Sequence, residues 1–255
     1  MFCLFLILIL GISHGALDNI KGKKLFKLFG YKSSIYFYLT YILISILIIL
    51  SWLVFPNTVL FIFLVVASYH FGKEDTVFSF KRKFLISEFL FFLKGSSIIL
   101  VPLLLKRTET IEIFRILNFN VFETSFFSNQ FLVIILFFSF VSSLYISLGK
   151  NTNLIGIMIM DFFSLFILNF FLTPILAFTL YFCFLHSIRH SIKLIFELDK
   201  SFKAGLRKFV SKAIPLTLVT GVIFLLSIFF LNNFYKLDEA IYKVIFIGLA
   251  SLTFP

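Results

Sequence analysis

About nine nearly unbroken apolar stretches, separated by short polar and mostly basic connections, run along the chain. They are Phe2 to Ser13, Ser34 to Phe55, Thr58 to Tyr69, Phe84 to Leu105, Phe131 to Leu148, Leu154 to Leu172, Pro174 to Phe196, Ala213 to Leu231 and Ala240 to Pro255. A hydrocarbon layer of roughly 30 Å needs about 20 apolar residues in a helix, so most of these segments are long enough to span, and the first and third are short. The pattern predicts an all-α fold: a polytopic integral membrane helical bundle of about eight or nine transmembrane helices, forming a single membrane domain over residues 1–255. A secretory signal at Met1 to Ser13 lacks a basic start, the basic residues following the apolar run instead, so a membrane helix short of its outer end is expected there. Pro255 also falls inside an apolar run, so the C-terminus is expected to be incomplete. Between Leu198 and Ala213, apolar Phe202, Leu206, Phe209 and Val210 alternate with lysines, which predicts an interfacial amphipathic helix. The connection from Lys106 to Gln130 is expected to hold a similar one.

Composition agrees. With 60% apolar and 14% charged residues, the 255-residue chain carries more apolar surface than one water-soluble core could hide. The 41 phenylalanines, and lysine in large excess over arginine, are what AT-rich codons produce, so no single Phe carries functional weight. Cys3 and Cys183 lie inside apolar segments without CxxC spacing and read as packing residues. If the Lys21 to Lys32 connection is cytoplasmic, 17 of the 23 Lys and Arg fall on that side, which fixes the orientation. Topology and anionic lipid thus account for the net charge of +11, and no nucleic acid is implied.

Orientation gives the four histidines their interest. His14, His70 and His186 each sit toward the cytoplasmic end of an odd-numbered segment, within roughly 5 to 10 Å of one interface at 1.5 Å per residue. His190 follows His186 at i+4, on the same helix face, with Cβ atoms about 5 to 6 Å apart. A single histidine at a helix end can simply face headgroups. Four in one layer, with none in the polar loops, point to a shared metal. Neutral imidazoles suit Fe, Cu, Zn or Ni. Four histidines are too few for a di-iron centre, their common depth argues against two haems, and HExxH is absent.

The surrounding residues carry a resemblance. Ser13-His14-Gly15-Ala16-Leu17-Asp18, Ser68-Tyr69-His70-Phe71-Gly72-Lys73-Glu74-Asp75, His186-Ser187-Ile188-Arg189-His190 and the closing Gly248 to Pro255 resemble, in order and spacing, the successive motifs of the Brp/Blh family of beta-carotene dioxygenases. The resemblance implies a bacterial cell (inner) membrane enzyme that cleaves the central 15,15′ double bond of beta-carotene with O2, giving two retinals for a microbial rhodopsin. It also implies Fe(2+) held by His14, His70, His186 and His190, with the metal near the cytoplasmic side. In the family the final Phe-Pro is followed by a further histidine and more chain, which adds to the expectation of a fragment.

Other candidates follow from position. Asp161, mid-span in the sixth segment, is expected either to hold the second N–H of a metal-bound histidine or to pair with Lys94. Asp18, Glu74 and Asp75 read as ordinary helix-end charges. Tyr69, Phe71, Tyr181 and Phe184 flank the histidines and are candidates for lining a lateral route from lipid for a carotenoid. The competing classes are a transporter or channel, which would string Glu88, Lys94, Asp161 and the histidines along several depths, and a metal-free assembly factor for a rhodopsin.

Overall fold

The computed structural model describes residues 1–12, 15, 17–30, 35–76, 78, 80, 84–124 and 127–255, and all regular structure among them is helical. The chain packs as two compact units, one of Met1–Val59 with Ser187–Pro255 and the other of Leu60–His186.

The Leu60–His186 unit takes in most of α4 (Pro56–Glu74), then α5 (Phe84–Leu105), α6 (Arg107–Ile116), α7 (Asn129–Ser147), α8 (Thr152–Phe171) and α9 (Pro174–Leu180). Helix starts follow local chemistry: Pro occupies the first position of α4 and α9, Ser128 Oγ accepts from the Phe131 N–H at α7, and Asn151 Oδ1 accepts from the Leu154 N–H at α8. Small residues let the interior helices meet. A methyl group on Gly72 would run into the Phe91 carbonyl oxygen, and one on Gly95 into that of Ser68, so α4 and α5 cross backbone to backbone. Buried Ser96 and Ser97 of α5 and Ser139, Ser142 and Ser143 of α7 play the same part at the next interface, where Ser139 Oγ donates to the Lys94 carbonyl at 3.1 Å.

The connection after α5 holds the expected helix, α6, which ends on a left-handed Asn118 (φ 59°) with the Phe119 N–H returning to the Phe114 carbonyl. Arg107 donates to the Phe127 and Phe122 carbonyls, and Phe114, Phe119, Phe122 and Phe127 pack edge-on or tilted against one another.

In the other unit, α1 (Phe2–Leu6) passes into a π-helical turn at Ile7–Gly11, followed by α2 (Asp18–Leu28), α3 (Ile35–Val54), α10 (Ile188–Leu198), α11 (Phe202–Leu231) and α12 (Leu237–Thr253). Helix α3 is tied to α12 by Tyr41 Oη and Ser45 Oγ, which donate to the carbonyls of Leu252 and Ser251. Helix α10 packs on α11 through Leu194, Ile195, Phe209 and Ala213, with Gly205 admitting the Ile195 carbonyl where a side chain would not fit.

Here the sequence expectation needs correction. Leu198 to Ala213 is not a separate interfacial helix. Its larger part belongs to α11, which runs 30 residues, about 45 Å, through Pro215. Gly205, Phe209 and Ala213 recur at i+4 as a buried stripe that continues the helix instead of ending it.

Among the described residues, six helical stretches are long and apolar enough to cross a membrane: Ile35–Val54, Leu85–Leu105, Asn129–Ser147, Thr152–Phe171, Pro174–Leu198 and Phe202–Leu231. Large apolar side chains stand exposed along them, among them Leu43, Leu47 and Leu50 of α3 and Leu218, Val222 and Phe229 of α11. Faces of that extent on helices of spanning length suit a lipid environment, and the protein is a helical membrane protein. Phe2–Gly11 is apolar but shorter, α12 has 17 residues, and α4 carries Asn57, His70, Lys73 and Glu74. An eight- or nine-span count would need these segments too.

Candidate metal centre

Two of the four histidines meet within the Leu60–His186 unit. His70 comes from the last turns of α4, and His186 from the π-helical stretch Tyr181–Ser187 that continues α9. Their rings lie 5.4 Å apart, centre to centre, inclined by 62°. A π-turn carries more residues than an α-turn, so side chains four apart fall nearly in line along the axis. Phe178, Phe182 and His186 form such a file: the first two rings stack at 5.6 Å and 6°, the last two at 5.7 Å and 14°. Phe71 closes the other side of His186, edge to face at 4.7 Å. The imidazole is 1% exposed and held in orientation by aromatic walls.

Its Nδ1 lies 2.7 Å from Oδ1 of Asp75, and the other carboxylate oxygen accepts from the Tyr181 hydroxyl at 2.6 Å. An ionised carboxylate can only accept, so Nδ1 carries the proton it faces, and in the neutral form of the ring the lone pair lies on Nε2, an atom closed to solvent. Carboxylate–histidine pairs of this kind fix tautomer and ring orientation at metal sites and raise the basicity of the ligating nitrogen. Burial disfavours the charge on Asp75, and the hydrogen bonds from His186 and Tyr181, with Lys94 nearby, offset that cost.

Lys94 of α5, 7% exposed, donates to Thr76 Oγ1 at 2.9 Å and to the Gly72 carbonyl at 3.3 Å. Asp75, Lys94, Tyr181 and Asp161 of α8 border a cavity of about 20 Å³, room for about one water. The histidine-bound carboxylate is thus Asp75, which read as a plain helix-end charge in the sequence. Asp161 is buried, as expected of a mid-span carboxylate, and stands on the cavity wall.

The remaining candidates separate. Phe71 and Tyr181 pack around His186, whereas Phe184 is 47% exposed. The Tyr69 hydroxyl is engaged by Glu88 and Lys73 at the α4–α5 edge. His190 is half-buried in α10 of the other unit, and His14 lies outside the described residues. Among the described residues no three His, Cys, Asp or Glu side chains converge to hold a metal ion. The pair that does converge fits a borderline divalent metal, because His186 has its second nitrogen committed to a carboxylate and His70 stands beside it.

A helical membrane protein with a buried, carboxylate-oriented histidine beside a second, half-buried one is the class these features define. Residues 5–255 match the profile of the beta-carotene 15,15'-dioxygenase family, essentially the whole chain, and the chain belongs to that family. Comparison with curated proteins and with solved structures gives no match.

Proposed function

We propose that the protein is an iron-dependent beta-carotene 15,15'-dioxygenase of a bacterial inner membrane, cleaving the central double bond with O2 to yield two retinals for a microbial rhodopsin. His14, His70, His186 and His190 would hold Fe(2+) near the cytoplasmic side of a bundle in which α1, α4 and α12 also enter the membrane. The observation that carries this reading is the His186–Asp75 pair beside His70 in a family member. Bound there, Fe(II) with neutral nitrogen ligands and open positions would supply a site for O2 beside an electron-rich polyene.

The chain's own residues account for the rest. Asp75 keeps the His186 proton on Nδ1, and Tyr181 holds the second carboxylate oxygen so that Asp75 cannot turn away. Phe71, Phe178 and Phe182 exclude water from the ring. A carotenoid reaches such a site through lipid, past exposed apolar helix faces such as that of Phe184.

The test is expression in carotene-producing cells, followed by iron analysis of the purified protein. Colour should be lost, retinal should appear, and His70→Ala and His186→Ala should each abolish both retinal and bound iron. Stoichiometric iron in all four histidine variants, or a metal-free protein that still produces retinal, would overturn the reading. Unchanged carotene with no bound metal would favour an assembly factor or a transporter.

A further inference from the structure

Lys94 is a buried ammonium in an apolar unit, and such a group is costly unless its surroundings use its charge. Two of its hydrogen bonds fall at one place, the end of α4. The Gly72 carbonyl, one of the last acceptors of that helix, receives both Thr76 Oγ1 at 2.8 Å and Lys94 Nζ at 3.3 Å, and Lys94 also donates to Thr76 Oγ1. A cation there complements the negative end of the α4 dipole. The next residue of α5 is Gly95, which lies against α4 so closely that no side chain fits, so the ammonium has little freedom to move away. Asp75 is enclosed by this arrangement: its N–H bonds the Phe71 carbonyl at 3.0 Å, and the residue after it is Thr76.

We propose that Lys94 is a positioning residue: by clamping the Gly72–Thr76 turn it aims the Asp75 carboxylate at both Tyr181 and His186, and through Asp75 it sets the His186 tautomer that binds metal. The geometry is specific. Thr76 and Gly72 bracket Asp75, and Asp75 reaches the π-helical stretch with both oxygens. Without the clamp the turn loses its side-chain anchor on α5, and the carboxylate can satisfy one partner at the expense of the other. The same clamp explains a mid-helix lysine whose backbone carbonyl accepts from Ser97 and Ser139, so that one residue joins α4, α5 and α7.

This inference rests on the reading of His186 as an iron ligand, and the test separates the two. Full-length protein labelled with 15N-histidine, stripped of metal and held at one pH, reports the His186 tautomer from its two nitrogen shifts, with His186→Ala giving the assignment. Wild type should show Nδ1 protonated and Nε2 bare. Lys94→Met should populate the other tautomer and, on anaerobic titration with Fe(II), weaken binding about tenfold. Thr76→Val, which keeps the volume and removes the hydroxyl, should move both readouts the same way by less. A folded Lys94→Met with the wild-type nitrogen shifts overturns the proposal; if that variant does not fold, unchanged shifts in Thr76→Val do so. Absence of iron binding in wild type overturns the proposed function, while the tautomer comparison still decides the role of Lys94.

Discussion

Replacing Asp75 by Asn tests the centre of the site with almost no change in volume. The carboxylate accepts two bonds, at 2.7 Å from His186 and 2.6 Å from Tyr181. An amide has one oxygen for the two donors and turns its NH2 toward the other. If Tyr181 keeps the oxygen, the NH2 faces Nδ1 of His186 and favours the tautomer with the proton on Nε2, which removes the lone pair a metal needs. Hydrogen bonds to charged groups contribute about 1.5–3 kcal/mol, and neutral ones about 1 kcal/mol, so the exchange weakens both contacts even where they survive. Loss of such an outer partner typically lowers metal affinity 10- to 100-fold, about 1.4 to 2.8 kcal/mol. Fe(II) titration of the purified variant and retinal yield in carotene-producing cells should both fall, with thermal stability in detergent reduced less than in Asp75→Ala, which strips both donors of their acceptor. An Asp75→Asn protein with wild-type iron affinity and retinal yield would refute the assignment of Asp75.

Gly72→Ala and Gly95→Ala should each destabilise the fold by about 1–3 kcal/mol, because the added methyl meets a backbone carbonyl that cannot move aside; thermal unfolding in detergent reads this. Tyr181→Phe should retain a folded protein with weakened iron binding, since it frees one oxygen of Asp75 without opening a cavity, and the Fe(II) titration checks it. The Arg115–Glu123 pair, with two contacts at 2.7 and 2.9 Å, holds the Glu123 carboxyl below its ordinary value, chiefly through the hydrogen bond from Arg115. Because that value is depressed in the folded state, the pair's contribution is present above the ordinary carboxyl range and lost as pH falls through the depressed value. Amide exchange in residues 117–124 should therefore be slower in wild type than in Glu123→Gln near neutrality and equal in strong acid.

The apolar runs located the helices well: Phe84 to Leu105 is helix α5 to the residue, and α3, α7 and α8 lie within two residues of their segments. Periodicity failed at α11, where basic residues on an otherwise continuous helix read as a change of environment. The buried stripe through Gly205, Phe209 and Ala213 becomes visible only once α10 lies against it. The site was half legible. His70 and His186 declared themselves as imidazoles in apolar runs, and they meet. Asp75 did not, because it ends a helix as many acidic residues do, and its partner lies 111 positions away along the chain. Asp161 attracted attention by standing mid-span, which marks an ionisable residue as costly but does not name what it touches.

The π-helical stretch Tyr181–Ser187 has a consequence for how this protein can change over time. Substitutions there alter what a side chain offers, but the wide turn takes up residues at a smaller angular step, so winding the same residues as an ordinary α-helix would carry His186 roughly 100° further around the axis, away from Asp75 and out of file with Phe178 and Phe182. Winding through this stretch is therefore under a constraint that most of its residue identities do not share, Tyr181 and His186 being the exceptions. Sequence drift can proceed between Phe178 and His186 where it keeps the wide turn and the Tyr181 hydroxyl, and a change of length is tolerated only where it leaves His186 facing Asp75.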